Sequence, residues 1–192
     1  MAGKGRTVMS KLGKWFGFDT EEICEEGFAA LDRKEYEEAA SAFETCIRES
    51  KSESTIRLAR FNLAECYAQM AVADFHRAKY ERAQTEIERS LAFSSPTSER
   101  HLWAARIARR LEMTDEADYQ IERALTLSPA NPQALALQAA TYYEEGRTEE
   151  ALASAEVLPN QEARVDRFRE AHARGDRLTA VAQLLALATL RY

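Results

Sequence analysis

The sequence contains few residues that interrupt a helix. It has 4 prolines and 7 glycines in 192 residues, and four of those glycines lie within the first 17 positions. Alanine, leucine, glutamate and arginine, which all favour helices, are abundant in the rest of the chain. The sequence also lacks convincing runs of alternating apolar and polar residues, the pattern of a half-buried strand. These absences argue against a β-sheet and predict an all-α protein.

Long hydrophobic runs are also missing. No apolar stretch reaches the roughly 20 residues that a membrane-spanning helix needs, and no cleavable signal segment is evident. With 45% hydrophobic and 30% charged residues, the chain is too apolar for a disordered protein. We therefore expect a folded protein of the cytoplasm.

Histidine and cysteine are scarce. The three histidines do not have the spacing of zinc ligands, and the sequence has no phosphate-binding glycine loop and no nucleophile motif. The cysteines are odd in number and lie within apolar helical patterns, which favours buried reduced thiols over a disulfide or a metal site. They are Cys24, Cys46 and Cys66. We therefore expect no catalytic residues, no metal and no cofactor, and the protein is predicted not to be an enzyme.

The charge is unevenly distributed along the chain. Residues 1–18 carry four basic side chains and no acidic one, whereas the other 174 residues carry 32 acidic and 22 basic side chains. Phosphate binding requires a clustered positive field, which an acidic body does not supply. We therefore expect no nucleic-acid partner.

What the sequence does contain is an internal repeat. The segment Ile-Glu-Arg-Ser-Leu at 87–91 recurs as Ile-Glu-Arg-Ala-Leu at 121–125, an offset of 34 residues. An alanine marks the equivalent point of every repeat, with spacings of 44, 34, 34 and 29 residues. These alanines are Ala39, Ala83, Ala117, Ala151 and Ala180. Small side chains at that point let two antiparallel helices approach closely. Each repeat is therefore predicted to be a helix pair, and the pairs must stack to bury their apolar faces.

The repeats are not all alike. The spacing of 44 residues between the first two alanines leaves ten extra residues, which predicts a lengthened helix over Thr55–Lys79 after a loop at Ser50–Ser54. Gly146 and Gly175 stand where a glycine can form a left-handed helix end at a corner. The second helix of the fourth repeat is predicted to stop at Pro159, because proline cannot continue a helix interior.

This pattern resembles the tetratricopeptide repeat family. The residues that carry the resemblance are Gly27, Tyr36, Ala39 and Phe43; Tyr80, Ala83 and Ile87; Ala117, Ile121, Ala124 and Pro129; and Tyr142, Gly146 and Ala151. The resemblance implies an all-α, right-handed superhelical array of about four to five antiparallel helix pairs over residues 19–192. A basic amphipathic segment, residues 1–18, precedes that array. The family's common property is the binding of proteins or peptides.

The resemblance also implies a concave groove lined by the first helix of each pair. The side chains expected to bind a partner there are Phe75, His76, Arg106, Arg109, Arg110, Tyr143, Arg169 and His172. This positive and aromatic set suits an acidic or carboxylate-bearing peptide. The alternative is that the arginines are solvated, or that they pair with nearby acidic residues at Glu112, Asp115 and Glu116.

Both ends of the chain carry apolar side chains that the repeats do not explain. An N-terminal stripe that includes Trp15 and Phe16 predicts a short amphipathic helix for a membrane surface or a partner's groove. The alternatives are a flexible tail and a flap on the chain's own first repeat. The C-terminal segment 178–190 is apolar on most sides, which predicts that a second copy or a partner covers it. In a homo-oligomer, Leu184 and Leu187 would form the self-complementary contact.

Together these features predict a scaffold or adaptor that holds a partner protein or peptide in its groove. Two alternatives stay open at this point. One is a secretion-type chaperone that shields a client protein, and the other is a self-assembling scaffold that coats a membrane or particle.

Overall fold

The computed structural model describes residues 18–158 and 161–188. These residues form ten α-helices and contain no strand. The helices are α1 (Phe18–Asp32), α2 (Tyr36–Glu49), α3 (Glu53–His76), α4 (Tyr80–Phe93), α5 (Ser98–Arg110), α6 (Thr114–Leu127), α7 (Pro132–Glu144), α8 (Thr148–Glu156), α9 (Glu162–Ala173) and α10 (Arg177–Ala188). The all-α prediction is confirmed.

The helices belong to two compact units, with the division after Pro96. In unit 1, which contains α1 to α4, each helix packs against the next one along the chain. Unit 2 contains the pairs α5–α6, α7–α8 and α9–α10, and α7 also packs against α10. Each predicted repeat is thus a pair of consecutive helices joined by a short corner.

The recurring alanine is buried in every pair. Ala39, Ala83, Ala151 and Ala180 have no exposed surface, and Ala117 is 2% exposed. A larger side chain at any of these positions would have to displace a neighbouring helix, because protein interiors are closely packed. The prediction that this alanine lies where the helices of a pair approach is consistent with its burial.

Five corners between helices use a residue with a positive φ angle. Two of them are the predicted glycines, Gly146 (φ 86°) and Gly175 (φ 73°), which adopt this conformation without a steric penalty. The other three are Lys34, Ala78 and Glu112, with φ near 60°. In each corner a backbone N–H that follows this residue donates back to the helix, as Lys79 does to the Asp74 carbonyl at 2.9 Å. The left-handed residue therefore ends the first helix and lets the second one fold back.

The lengthened helix between the first two repeats is present as α3, which has 24 residues. It begins after Ser52, whose side chain accepts a hydrogen bond from the Thr55 amide. It ends at His76, slightly earlier than predicted, because Ala78 takes the left-handed conformation. The extra turns at its start expose Leu58 and Phe61, which are 51% and 53% accessible.

Each unit has its own hydrophobic core. The core of unit 1 contains Phe43 and Leu63, both without exposed surface. The core of unit 2 contains Phe168 and Leu184, also fully buried, together with Leu137. Burial of apolar side chains on this scale is the main stabilising contribution to such folds.

Cys24 and Cys46 form a disulfide that joins α1 to α2. The prediction that all three cysteines are reduced thiols is therefore wrong. The corner at Lys34 folds α2 back along α1, and this places the two Cα atoms 5.6 Å apart although 22 residues separate them along the chain. Cys66 remains a free, buried thiol, and its burial raises its pKa to about 12. Helical periodicity alone did not reveal which cysteine-bearing faces would meet.

The structure also corrects the assignment of Leu184 and Leu187. Both side chains have no exposed surface and lie in the core of unit 2. The reason is that α10 packs against two helices, α9 and α7, so more than one side of it is covered. These two leucines therefore cannot form a contact between folded copies of the chain. Leu178, at the start of α10, is 87% exposed.

Candidate interaction surface

Side chains link the first helices of the three pairs in unit 2. The Arg106 side chain, on α5, donates to Gln133 on α7 at 3.1 Å. The Tyr143 hydroxyl, on α7, lies 3.0 Å from Nδ1 of His172 on α9. We call the surface formed by α5, α7 and α9 the first-helix face. It is the part of unit 2 to which the sequence assigned partner binding.

Arg109 is held by two groups of the neighbouring helix. Its Nη1 donates to the Thr141 hydroxyl at 2.9 Å, and its Nη2 lies 2.9 Å from both carboxylate oxygens of Glu144. The arginine side chain is 17% exposed. Pairing with an acidic residue was one of the alternatives, but the partner lies on α7 and not in the corner that follows α5. A carboxylate can therefore bind Arg109 on this face, since one already does.

Arg106 is fixed by an aromatic ring as well as by its hydrogen bond. Its guanidinium lies 4.8 Å from the centroid of the Trp103 ring, an arrangement that attracts a cation to the ring face. Burial lowers the pKa of Arg106 below its ordinary value, and Glu99 opposes that shift. Arginine keeps its proton under such a change, so Arg106 is a partly desolvated cation with a restricted position.

Arg110 is the exposed arginine of α5 and lies at its last position. Within the described part of the chain, no ion pair to its side chain is found. A basic residue at this position also interacts favourably with the C-terminal end of the helix dipole. Arg110 therefore adds accessible positive charge beside Arg109.

Tyr143, Phe168 and His172 form an aromatic cluster between α7 and α9. The Tyr143 and Phe168 rings meet edge to face, with centroids 5.0 Å apart. Tyr143 is 6% exposed, so its ring is a packing element and offers little surface to a partner. His172 is exposed and continues the first-helix face beyond it.

Arg169 lies on the exposed side of α9. It forms ion pairs with Asp166, at 3.0 Å, and with Glu156 at the end of α8. These two carboxylates offset its charge. Arg169 therefore contributes less positive potential to the first-helix face than its sequence position suggested.

The remaining predicted residues lie elsewhere. Phe75 and His76 are at the end of α3 in unit 1, where the Phe75 ring meets the Tyr80 ring at 5.5 Å. Their membership of one groove with the residues of unit 2 stays a prediction. Trp15 and Phe16 lie outside the described residues.

Unit 2 also contains a cleft that the sequence did not indicate. It has a volume of about 160 Å³ and lies between α6, α7 and the corner after α7. It is lined by Asp118, Ile121, Glu122, Gln138, Thr141, Tyr142, Glu145 and Arg147. Burial and the nearby Glu145 raise the pKa of Asp118. Asp118 and Glu145 belong to consecutive repeats, so only the packing of α6 against α7 brings them together.

Arg147 closes one side of this cleft. Its guanidinium lies 4.0 Å from the centroid of the Tyr142 ring and forms ion pairs with Glu145 at 3.1 Å and with Glu150 at 2.7 Å. These contacts hold the corner between α7 and α8. We assign the arginine a structural role there.

Two kinds of site were also sought in the described part of the chain. No group of three or more histidine, cysteine, aspartate or glutamate side chains is arranged to hold a metal ion. None of the described helices combines the length and the apolar character that crossing a membrane requires.

Solved structures with the same arrangement of helices identify the fold. The crystal structure of MamA aligns with 84% of this chain and 91% of its own, with a TM-score of 0.55 and 12% identity. The crystal structure of YrrB, described as a TPR protein with an unusual peptide-binding site, aligns with 93% of this chain and 91% of its own. Its TM-score is 0.57 and its identity is 15%.

This chain has the tetratricopeptide-repeat fold. The fold implied by the resemblance to the tetratricopeptide repeat family is thereby confirmed. The sequence matches no protein-family model and no curated protein. At identities of 12% and 15%, the two structures establish the architecture of the tetratricopeptide-repeat chain and leave its partner open.

Proposed function

We propose that this tetratricopeptide-repeat protein is a non-catalytic interaction module that binds an acidic peptide segment of a partner protein on the first-helix face of unit 2. The observation that carries the proposal is the clustering of Arg106, Arg109 and Arg110 on one helix, with Arg109 already binding a carboxylate. YrrB, which has a similar fold, is described as having a peptide-binding site. That description supports peptide binding as a use of this architecture.

The proposed binding mode is an exchange of carboxylates. A partner's carboxylate replaces Glu144 on the Arg109 guanidinium, which presents two parallel N–H donors in a fixed geometry. Arg110 supplies a second charge without first losing an intramolecular ion pair. Arg106 is preorganised by Trp103 and therefore loses little side-chain freedom when it binds.

Fluorescence anisotropy with a labelled oligoglutamate peptide tests this proposal. The double substitution Arg109→Glu/Arg110→Glu should weaken binding by at least about tenfold while the helix content stays unchanged. Added salt should weaken binding to the unaltered protein, because charged contacts at an exposed surface are screened. An oligolysine peptide of equal length should not bind at this face.

Arg123→Glu provides a matched control for the single substitution Arg110→Glu, because each reverses one positive charge and Arg123 lies on α6, outside the first-helix face. It should bind the oligoglutamate peptide as the unaltered protein does. If Arg123→Glu and Arg110→Glu weaken binding equally, the effect comes from net charge and the proposed face is wrong. Recovery of a single unstable client in a pull-down would instead favour the secretion-chaperone alternative.

A further inference from the structure

Among the described helices, the first helix of unit 1 packs mainly against one neighbour. Its principal packing partner is α2, whereas α2 packs against both α1 and α3. The disulfide between Cys24 and Cys46 crosses this one interface. Loss of α1 from its place would therefore leave the packing of α2, α3 and α4 on one another intact.

The non-covalent part of the α1–α2 interface is centred on Phe43 of α2. The Phe43 ring meets Phe28 of α1 edge to face, with centroids 5.2 Å apart. It also lies directly against Gly27, where an added Cβ atom would come within 2.9 Å of the ring. Among the described side chains of α1, Ile23, Phe28 and Leu31 are partly buried against the core of unit 1. The packing around Phe43 and the covalent bond are therefore two separate contributions that hold α1 on α2.

We propose that the Cys24–Cys46 disulfide is a redox-sensitive latch that holds α1 on α2. In the oxidised protein α1 is docked. When the bond is reduced, α1 separates from α2 and exposes the apolar surface around Phe43, while α2, α3 and α4 remain folded. This inference concerns unit 1 and is independent of the peptide-binding face proposed in unit 2.

The reaction is a thiol–disulfide exchange with a dithiol reductant. One thiolate of the dithiol attacks a sulfur of the disulfide and releases the other cysteine as a thiolate, which takes up a proton. The second thiol of the dithiol then attacks the mixed disulfide and releases the remaining cysteine. The protein gains two electrons and two protons, and the dithiol becomes a disulfide.

Access to the bond depends on the motion of α1 itself. Cys46 is fully buried and Cys24 is 7% exposed, so a reductant reaches the sulfurs when α1 lifts transiently from α2. Reduction removes the covalent link between Cys24 and Cys46, which are 22 residues apart along the chain. In the loop-entropy description, a disulfide that closes a loop of this size raises the equilibrium constant for docking of α1 by roughly a hundredfold.

Cys66 does not compete for this bond. It lies in the same hydrophobic cluster as Cys24 and Cys46 but remains a free thiol. Its burial raises its pKa to about 12, and a thiol that holds its proton is a poor nucleophile in exchange. The pairing between α1 and α2 is therefore kept when the bond re-forms.

Whether α1 is docked or released would depend on whether the compartment is oxidising or reducing. Disulfides persist in oxidising compartments and are rare in a reducing cytosol. A chain in a reducing cytosol would therefore have α1 released, and a chain in an oxidising compartment would have it docked.

Hydrogen exchange measured by mass spectrometry on the full chain tests the latch. The oxidised protein should show one titratable thiol under denaturing conditions, and dithiothreitol treatment should raise the number to three. Reduction should accelerate amide exchange in α1 by roughly a hundredfold and leave α3 and α4 unchanged. The double substitution Cys24→Ala/Cys46→Ala should reproduce the reduced state without the reductant.

The reductant applied to the double variant is the matched control. It should change nothing there, because Cys66 is already a thiol. Three outcomes would overturn the latch: α1 stays equally protected after reduction, all of α1 to α4 lose protection together, or the reductant affects the double variant as strongly as the unaltered protein. Three thiols in the protein purified without reductant, with α1 protected, would also refute it.

Discussion

At the scale of single residues, Glu86 on α4 is a carboxyl group in a mostly buried position. It is 9% exposed, and its Oε2 atom has no hydrogen-bond partner among the described residues. Burial raises its pKa, while Arg89 and Arg82 oppose the shift. Glu86 Oε2 forms an ion pair with Arg89 Nη1 at 3.8 Å, but the pKa stays raised, so this pair does not offset the cost of burying the carboxylate. The ionised form of Glu86 therefore weakens unit 1.

This arrangement predicts a pH-dependent effect of Glu86→Gln. A carboxyl group with a raised folded-state pKa stabilises the fold while it is protonated and loses that contribution as the pH rises through the folded-state pKa. The substitution should therefore increase the free energy of unfolding at neutral pH by about 1 kcal/mol. This gain in the free energy of unfolding should shrink as the solution is acidified. The protonated Glu86 of the unaltered protein and the glutamine of the variant are then both neutral.

Urea unfolding at neutral and at acidic pH measures this difference. Glu88→Gln is the control, since Glu88 is an exposed residue of the same helix. That substitution should change the stability little at either pH, as expected for an exposed charge. A gain from Glu86→Gln that is equal at both pH values would show that ionisation of the carboxyl is not the cause.

At the scale of helices, the sequence predicted an oligomer contact on α10, whereas the structure shows that this helix is part of the core. Leu184 and Leu187 pack with residues of α7 and α9 within unit 2. Leu184→Ala should therefore lower the free energy of unfolding by about 2–5 kcal/mol, the usual cost of removing a buried leucine side chain. It should not convert a larger assembly into a monomer.

Leu178 provides the comparison within the same helix. Its side chain is 87% exposed, so Leu178→Ala should change the stability by much less. Chemical unfolding together with analytical ultracentrifugation separates stability from association. If Leu184→Ala left the stability unchanged and reduced the mass of the particle, the helix would have to be an interface after all.

At the scale of the whole molecule, the two compact units have separate cores. Among the described residues, the buried side chains of the core of unit 2 all lie between Leu102 and Leu187, within that unit. A fragment that contains residues 97–192 should therefore fold by itself, with a helical circular dichroism spectrum and cooperative thermal unfolding.

A shorter fragment that starts at Thr114 is the matched control. It lacks α5, the helix on which α6 packs, so it leaves Ile121 and Ala124 without their neighbours. This fragment should have a lower helix content than α6 to α10 would give if all of them were folded. Its thermal unfolding should also be less cooperative. If the longer fragment were also unfolded, the two units would not be independent in stability.

The periodic features of this protein could be predicted from its sequence because they depend on contacts that are close along the chain. Ala117 and Ala151 are the buried alanines of two successive repeats. Gly146 and Gly175 mark corners whose left-handed conformation is a local property of the backbone. The lengthened α3 follows from the spacing of the first two repeats. Local geometry recurs in every repeat, so the pattern is visible without coordinates.

The remaining features required the tertiary structure, because they depend on which faces of separate helices meet. The Cys24–Cys46 bond needs two antiparallel helices in one register, and the pairing of Arg109 with Glu144 joins helices of consecutive repeats. Leu184 looked exposed because its helix is apolar on most sides, whereas packing against both α7 and α9 covers it. The sequence by itself determined the repeat and the helices, and the packing of those helices decided which cysteines pair, which charges are offset and which leucines are buried.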